Sequence, residues 1–251
     1  MILNRTVEAE TLDHLAPDAP AARRSRRDLV RVHRVMGTRR VMAQAWQTLV
    51  SPQRAAAPLR VLELGAGDGS LLLGLARSRL LRWRQVHLCL MDRQDLVTPV
   101  TLAAFAQAGW SAQVQVADVL TWAAASTQQT NPEAPGQPGP RWDLITTSLF
   151  LHHFEGRELD LLLAAVALRC DRFFACEPRR SWWALAGSHL VGAIGANAVT
   201  RQDAVLSVRA GFRDQELTAR WAQLGGAWHT RESSAALFSH CFSARRSATV
   251  P

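Results

Sequence analysis

A glycine-rich loop with an acid inside it is the segment whose residues could do the most chemistry. The sequence VLELGAGDGS at residues 61–70 runs from an apolar strand into alternating glycines and then a helix. Glycine permits a tight turn and a close ligand approach, and amides at the helix start can donate hydrogen bonds. The third glycine follows the second by two residues, and Asp68 lies where a dinucleotide would place its diphosphate. Because a carboxylate repels an anion, Asp68 and Glu63 favour a ligand with a cationic amine and a sulfonium.

Two further acids follow the next predicted strands. Asp92 ends the second strand, and Asp118 follows the third. The first could accept both hydroxyls of a ribose, and the second could accept from an adenine amino group. Either acid alone could also be an ordinary helix cap. With the glycine loop they put acids at three successive strand ends, and the carboxyl edge of a parallel sheet is where ligands bind.

A pair of histidines follows the fourth apolar strand, in the sequence DLITTSLFLHHF at residues 143–154. Histidine titrates near neutrality, so His152 or His153 could remove a proton from an acceptor at this edge. Glu177, after the fifth strand, could orient the base or bind the acceptor hydroxyl. A lone histidine is more often structural, but this location favours catalysis. Because neighbours on a strand end point in opposite directions and no third ligand is suitably spaced, we expect no metal site.

Basic and aromatic residues after the fifth strand are candidates for acceptor binding. Arginines there could fix a carboxylate or phenolate, or could simply face solvent: Arg179, Arg180 and Arg209. The segment 181–198 is apolar and rich in small residues, and Trp182 and Trp183 lie near its start. It is either a plain core helix or, with the N-terminal helices, a lid over a greasy acceptor chamber that keeps out water.

The elements that must position these residues alternate between strand and helix. Strands are predicted at 59–64, 86–91, 114–117, 142–148 and 172–176, with helices beginning near residues 70, 99 and 159. Such alternation predicts an α/β fold with a parallel sheet and helices on both faces. Residues 226–245 add two strands that give the sheet an antiparallel edge. Residues 8–50 are predicted to be helical, and residues 126–140, rich in proline, glycine and polar residues, to be a mobile loop.

The composition narrows the possible partners and chemistry. The 251 residues include no lysine and no tyrosine, so neither can be a catalytic group. The net charge is +8, but the arginines are spread along the chain, which argues against a nucleic-acid partner. The dense run RRSRR at residues 23–27 could be a solvated helix face, a site for an anionic substrate or a weak membrane-surface contact. No stretch approaches the roughly 18 apolar residues of a spanning helix, and no secretory signal is recognisable, so a cytoplasmic protein is expected.

From about residue 59 onward the sequence resembles the class I S-adenosylmethionine (SAM)-dependent methyltransferases. More narrowly, it is similar to small-molecule enzymes with a Leu-His-His-Phe signature, a bacterial group often encoded beside polyketide and quinone pathway enzymes. The narrower likeness rests on His152 and His153, on EPRRS at residues 177–181 and on DAVLSVRAGF at residues 203–212. The resemblance implies a Rossmann-like seven-stranded sheet in the order 3-2-1-4-5-7-6, mostly parallel, with the last strand antiparallel.

The resemblance also implies a division of the chain and a SAM site. Residues 1–58 would form an N-terminal helical lid, residues 59–251 the SAM-binding domain, and residues 179–212 an inserted helical cap. The glycine loop would hold the methionine side of SAM, Asp92 the ribose and Asp118 the adenine. The expected SAM contacts are Glu63, Gly65, Ala66, Gly67, Gly69, Asp92, Arg93, Asp118, Val119 and Ser148.

The function expected from these patterns is O-methylation of a phenolic, polyketide or quinone-like metabolite with a histidine as general base. C-methylation of an activated ring carbon uses the same donor loop and stays open, as does a non-catalytic SAM-binding partner protein. Nucleic-acid methylation is disfavoured because Thr147-Ser148-Leu149-Phe150 stands where amino-methylating DNA enzymes have an Asn/Asp-Pro-Pro-aromatic motif. The expected partner is a small-molecule acceptor, and a homodimer is left open.

Overall fold

A seven-stranded sheet forms the centre of the computed structural model, which describes residues 3–51, 58–78, 80, 81, 83, 85–128 and 141–247. Its strands follow the chain as β1 to β7: Leu59–Leu64, Val86–Asp92, Trp110–Val116, Leu144–Ser148, Arg172–Pro178, Trp228–Ala235 and Ser239–Arg246. The order across the sheet is β3-β2-β1-β4-β5-β7-β6. Strands β1 to β5 pair in parallel, and β7 runs antiparallel to β5 and β6. The expected strand order and directions are therefore confirmed.

Strands β3 and β4 begin at residues other than those expected. Strand β3 begins at Trp110 instead of residue 114. Its first residues were not predicted because this edge strand is exposed at several positions and lacks a continuous apolar run. Strand β4 begins at Leu144, since Trp142 makes only an isolated bridge to Cys170.

The helices that the structure describes are numbered α1 to α10: Thr11–His14, Pro20–Met36, Thr38–Leu49, Ser70–Ala76, Pro99–Gln107, Val119–Gln128, Gly156–Arg169, Trp182–His189, Ala198–Ala210 and Glu216–Ala222. Short 3-10 turns occur at Leu151–His153 and Val191–Ile194. None of these helices combines the length and the apolar character that a bilayer crossing requires. Helix α6 includes residues 126–128 of the expected mobile loop, and residues 129–140 lie outside the described residues.

The apolar segment after β5 is not one helix. Helix α8 ends at His189, a 3-10 turn follows, and Gly195 then adopts a φ of 80° that only glycine takes readily. Helix α9 starts afresh, with the Asn197 side chain accepting from the amide of Thr200 as an N-cap.

Helices cover both faces of the sheet, because successive side chains of a strand point to opposite faces. On β1, Val61 packs in the core formed with α3, α4 and α5, whereas Leu62 packs in the core formed with α6, α7 and α10. Both side chains are fully buried. With the two faces closed, the carboxyl edge of the strands is the place left for a ligand.

Helix α3 belongs to one of these cores. Its Trp46 is fully buried and stacks on Trp83 and Trp110, with ring centroids 5.3 and 6.5 Å away. Gly37, with a φ of 66°, separates α3 from α2. Within the segment predicted as an N-terminal lid, α3 is therefore a packing element of the sheet, and α2 is the part that lies over the strand ends.

We expect Trp46→Ala to lower the free energy of unfolding by about 3–5 kcal/mol, because it removes a large side chain from a closed core. Guanidinium denaturation measures this change. Trp183→Ala is the matched control, since Trp183 is 78% exposed and its loss should change stability by about 0.5 kcal/mol or less. Equal effects of the two substitutions would contradict the core position of α3.

Candidate functional site

The glycine loop after β1 has the conformation that its sequence requires. Gly65, Gly67 and Gly69 have φ values of 71°, 54° and 73°, a region that other residues rarely adopt. A Cβ atom on Gly65 would lie 2.2 Å from Cδ2 of Phe150, so this position also needs glycine for space. A Cβ atom on Gly67 would meet nothing within 4 Å. The loop therefore leaves open space above its middle glycine.

Acids within and beside the loop hold its shape. The amide of Gly67 donates to the Asp92 carboxylate over 2.8 Å, and the amide of Ser70 donates to the Asp68 carboxylate over 3.0 Å. Asp92 also accepts from the amide of Gln94. These carboxylates are thus built into the backbone turn, as well as being available to a ligand.

A cavity of about 120 Å³ lies against the loop; we call it the loop cavity. It is lined by the loop itself, by the end of β4 at Ser148 and Leu149, and by helix α2. Two buried polar atoms from its lining residues, Oε2 of Glu63 and Oγ of Ser148, have no hydrogen-bond partner in the described structure. Such atoms are costly to leave unpaired, so they indicate a polar ligand.

Glu63 does not contribute the negative charge that the sequence suggested. Burial, with further contributions from Asp92 and Asp68, raises the pKa of its carboxyl well above the ordinary range. Burial therefore favours the neutral form of the Glu63 carboxyl, which weakens the negative field of the loop. The expectation that Glu63 strengthens the negative field of the loop is corrected in this respect.

Helix α2 contributes two residues that the sequence analysis missed. Arg26 and His33 line the loop cavity together with Leu29, at the three- and four-residue spacing of one helix face. Burial lowers the pKa of His33 to about 4, against the opposing effect of Asp68, so its imidazole is neutral near pH 7. Combining the arginine run with helical periodicity would have separated Arg26 from its solvent-facing neighbours.

The other predicted cofactor residues lie along the same edge, with mixed local roles. Asp118 is exposed and accepts from the amide of Thr121 over 2.8 Å, so the helix-cap interpretation describes it at the start of α6, beside a buried Val119. Arg93 forms an ion pair of 3.2 Å with Asp13 of α1. The N-terminal segment therefore reaches across the end of β2.

His152 lies in a buried network of charges after β4. Its Nδ1 is 2.9 Å from the Glu177 carboxylate, and its Nε2 is 3.2 Å from the Glu10 carboxylate. Glu177 is fully buried and also accepts from the amides of Phe150, Leu151 and His152. Burial lowers the pKa of His152, but hydrogen bonds and charges from the two glutamates outweigh it and raise the pKa to about 9. His152 is thus an imidazolium near neutrality and is not a free base.

His153 lies beside His152 rather than opposite it. The chain coils into a 3-10 turn at Leu151–His153, so the two rings are tilted by 32° with centroids 4.2 Å apart. Nδ1 of His153 is 3.3 Å from the Asp13 carboxylate, while burial and the charge of His152 lower its pKa. The prediction of opposed side chains is wrong, because it assumed an extended strand end.

The same turn removes the geometric reason for expecting no metal. Glu10, His152 and His153 each offer one ligand atom, and these atoms lie within 4.8 Å of one another. Both ring nitrogens of His152 already contact carboxylates, so the contacts seen here are those of an ion-paired network.

A second cavity, of about 390 Å³, lies under α2 between α8 and α9; we call it the apolar cavity. Its walls are mostly aliphatic, and it shares Leu29 and Leu149 with the loop cavity. Leu149 has a φ of 52°, a strained conformation for a non-glycine residue, and its amide donates to the carbonyl of Cys176. The two cavities therefore adjoin at the end of β4.

The predicted acceptor-binding residues do not line the apolar cavity. Helix α8 turns Ala184, Gly187 and Ser188 toward the cavity, which leaves Trp182 and Trp183 51% and 78% exposed. The remaining three are arginines: Arg179 and Arg180 precede α8, and Arg209 lies in the last turn of α9. Arg209 is exposed, Arg179 is half-buried, and Arg180 is buried with its guanidinium on the carbonyl of Gly211 and the carboxylate of Glu216. The helix phase and these backbone contacts place the five residues outside the lining of the apolar cavity, and their acceptor role stays a prediction.

Glu10 is an acid in the wall of the apolar cavity and was not predicted. Its carboxylate accepts from Ser207 and contacts His152, and only 13% of the side chain is exposed. Burial raises its pKa, but the contacts with His152 and Ser207 outweigh that effect, and the pKa is lowered overall. Asp203, the other acid in the wall, has its pKa raised by burial and accepts from the amides of Thr11 and Leu12. No local sequence signal links Glu10 to His152, because the two are 142 residues apart.

We expect the buried ion pairs of His152 with Glu177 and Glu10 to make the free energy of unfolding depend on pH. The folded pKa of about 9 lies above the ordinary histidine value of 6.5, so the native state holds this proton between those pH values and the unfolded state loses it. The stabilisation is complete below about pH 6.5 and is lost as pH rises through 9, by on the order of 3 kcal/mol. Urea unfolding at several pH values measures it. His152→Gln should flatten the slope in this window, whereas an unchanged slope would contradict the assignment.

Solved structures share this fold, although no family model and no curated protein matches the sequence. The plantazolicin methyltransferase BpumL in complex with SAH gives a TM-score of 0.63 at 10% identity, over 92% of each chain. A Nostoc punctiforme protein assigned as an O-methyltransferase gives 0.56 at 13% identity, over 97% of this chain and 64% of its own. An O-methyltransferase family protein from Burkholderia thailandensis gives 0.50 at 15% identity, over 75% and 51%. The chain therefore has the class I methyltransferase fold.

Proposed function

We propose that this chain is a SAM-dependent methyltransferase that acts on a small, largely apolar acceptor. The observation that carries the proposal is the junction of two unlike cavities, because the loop cavity and the apolar cavity share Leu29 and Leu149. A donor bound in the first and an acceptor bound in the second would meet at these side chains. The fold shared with BpumL, a methyltransferase bound to SAH, supports this assignment.

The polar groups of the loop cavity suit the methionine part of SAM. The unpaired Glu63 and Ser148 side-chain oxygens would pair with its ammonium and carboxylate groups, and Arg26 offers a cation for the carboxylate. When bound, SAM supplies a methyl group on a positively charged sulfur. Residues at the ends of β2 and β3 would hold the ribose and adenine: Asp92, Arg93, Asp118 and Val119.

We expect SAM binding to release a proton from Glu63. Burial and neighbouring acids raise the pKa of this carboxyl, and an ammonium beside it would favour the ionised form. SAM affinity should therefore rise with pH until Glu63 is ionised without ligand. Titration calorimetry in buffers of different ionisation enthalpy measures the released proton directly.

Glu63→Gln should bind SAM more weakly and lose the buffer dependence, since glutamine has no proton to release. Glu158→Gln is the matched control, because Glu158 is exposed on α7. Binding of NADH in place of SAM would overturn the cofactor assignment itself.

Glu10, rather than a histidine, is the proton acceptor that we propose for transfer to a hydroxyl. Its carboxylate lies in the wall of the apolar cavity and its pKa is lowered, whereas both nitrogens of His152 are occupied by carboxylates. As a hydroxyl oxygen forms its bond to the methyl group, its O–H becomes strongly acidic, so even a carboxylate with a lowered pKa can take the proton. His152 and Glu177 are then positioning residues that fix the Glu10 carboxylate and its charge.

We expect Glu10→Gln to lower kcat by about 10²–10⁴-fold with little change in SAM affinity, because it removes the base but not the donor site. Glu8→Gln is the control, since Glu8 is exposed two residues away on the same segment. Turnover on a panel of apolar phenols, with calorimetry for SAM, separates the two effects. SAM binding with no turnover on any acceptor would favour a non-catalytic protein instead.

His152→Gln should act differently from Glu10→Gln. Loss of the imidazolium raises the pKa of Glu10, since His152 is what holds that pKa down. In a plot of kcat against pH, the acid limb should therefore move to higher pH. At the optimum pH, kcat should fall less than it does for Glu10→Gln. An unshifted profile would argue against the link between the two residues.

A further inference from the structure

Although the arginines are spread along the chain, the excess of arginines over acids is concentrated in one segment. Between residues 19 and 62 the sequence has ten arginines and a single acid, Asp28. The net charge of this segment alone therefore exceeds the net charge of +8 for the whole chain. The remainder of the sequence is close to neutral. An excess of positive charge confined to one segment points to a polyanionic partner for that segment rather than to a general property of the protein.

Helix α2 presents half of these arginines to solvent on one side. Its buried side carries Ala22, Ser25 and Asp28. The exposed arginines lie on the opposite side of the helix at helical spacing, and we call them the basic face: Arg23, Arg24, Arg27, Arg31 and Arg34. Only Arg31 has an acid partner on the helix, since it pairs with Asp28 over 2.7 Å.

Exposed apolar side chains border the basic face where the apolar cavity opens. Val35 follows Arg34 directly and is 62% exposed, and Leu190 after α8 is 68% exposed. Both also line the apolar cavity, so they lie at its mouth. Trp183 is 78% exposed and lies one helical turn before the lining residue Gly187, at the flank of the side of α8 that faces the cavity. We call Val35, Trp183 and Leu190 the apolar rim.

We propose that the basic face and the apolar rim dock on an anionic lipid bilayer, with the mouth of the apolar cavity against the membrane. Arginines attract acidic headgroups, while tryptophan and aliphatic side chains enter the interface. A nucleic acid would match the arginines but would give no reason for aliphatic residues around the mouth of a greasy cavity. The docking does not depend on methyl transfer, although it would deliver an apolar acceptor directly to the cavity.

Vesicle sedimentation tests this with two lipid compositions. We expect the full chain to bind vesicles of phosphatidylcholine with one third phosphatidylglycerol, and to bind much more weakly to phosphatidylcholine alone. Binding should fall when salt rises from about 0.1 to 0.5 M, because salt screens the arginine contribution. Equal binding to both compositions, or no binding to either, would overturn the proposal.

Variants of the two surfaces separate charge from insertion. The triple variant R23Q/R27Q/R34Q should lose about a hundredfold in affinity for the acidic vesicles, as each basic residue contributes near the surface. Its control is R157Q/R209Q/R245Q, which removes the same charge from exposed arginines elsewhere and should retain binding within about threefold.

Trp183→Ser should weaken vesicle binding roughly tenfold, whereas Leu168→Ser, at an exposed position on α7, should not. SAM affinity should be unchanged in all of these variants, which keeps failure of docking distinct from failure of the proposed function. Binding to duplex DNA as tight as to acidic vesicles, together with no effect of Trp183→Ser, would point to a nucleic acid and overturn the membrane assignment.

Discussion

The buried carboxylate of Glu177 is the interaction on which the site depends. Alone in a protein interior such a charge would be prohibitive, but here it accepts from successive amides of the turn after β4 and from His152. Because these donors come from the turn itself, the carboxylate fixes the backbone that follows Leu149. The positive His152 then needs a second acid on its other side, and Glu10 supplies it. A row of alternating charges, formed by Glu177, His152 and Glu10, thus joins a strand end to the N-terminal segment.

That row of charges explains why the N-terminal segment is part of the site. Arg5 donates to the carbonyls of Phe154 and Ala210, while Asp13 contacts both Arg93 and His153. These bonds span the carboxyl ends of β2 and β4, so residues before α2 lie across the edge where a ligand would enter. The walls of the apolar cavity are therefore formed largely from parts of the chain that are distant in sequence from the glycine loop.

The sequence could predict the parts of the site that local patterns determine, but not the parts that distant segments form together. The glycine loop, the acids at the strand ends and the sheet order depend on local patterns, and the structure has the loop conformation and the sheet that they predict. The acceptor side depends on tertiary contacts. The orientation of His153 was set by a 3-10 turn that Glu177 stabilises, and the exposure of Trp183 by which face of α8 meets α9. Glu10 could not be found, because only folding brings it to His152.

Helix α2 shows how one periodic sequence can serve several surfaces. At 3.6 residues per turn, its arginines fall on different sides, so Arg26 faces the loop cavity while Arg27 faces solvent. Leu29, on the side of Arg26 away from Arg27, lines both cavities. The buried Asp28 fixes this rotation, because it accepts from the amide of Asn197 at the start of α9 as well as pairing with Arg31. A rotation of α2 would therefore change the loop cavity, the apolar cavity and the outer basic face together.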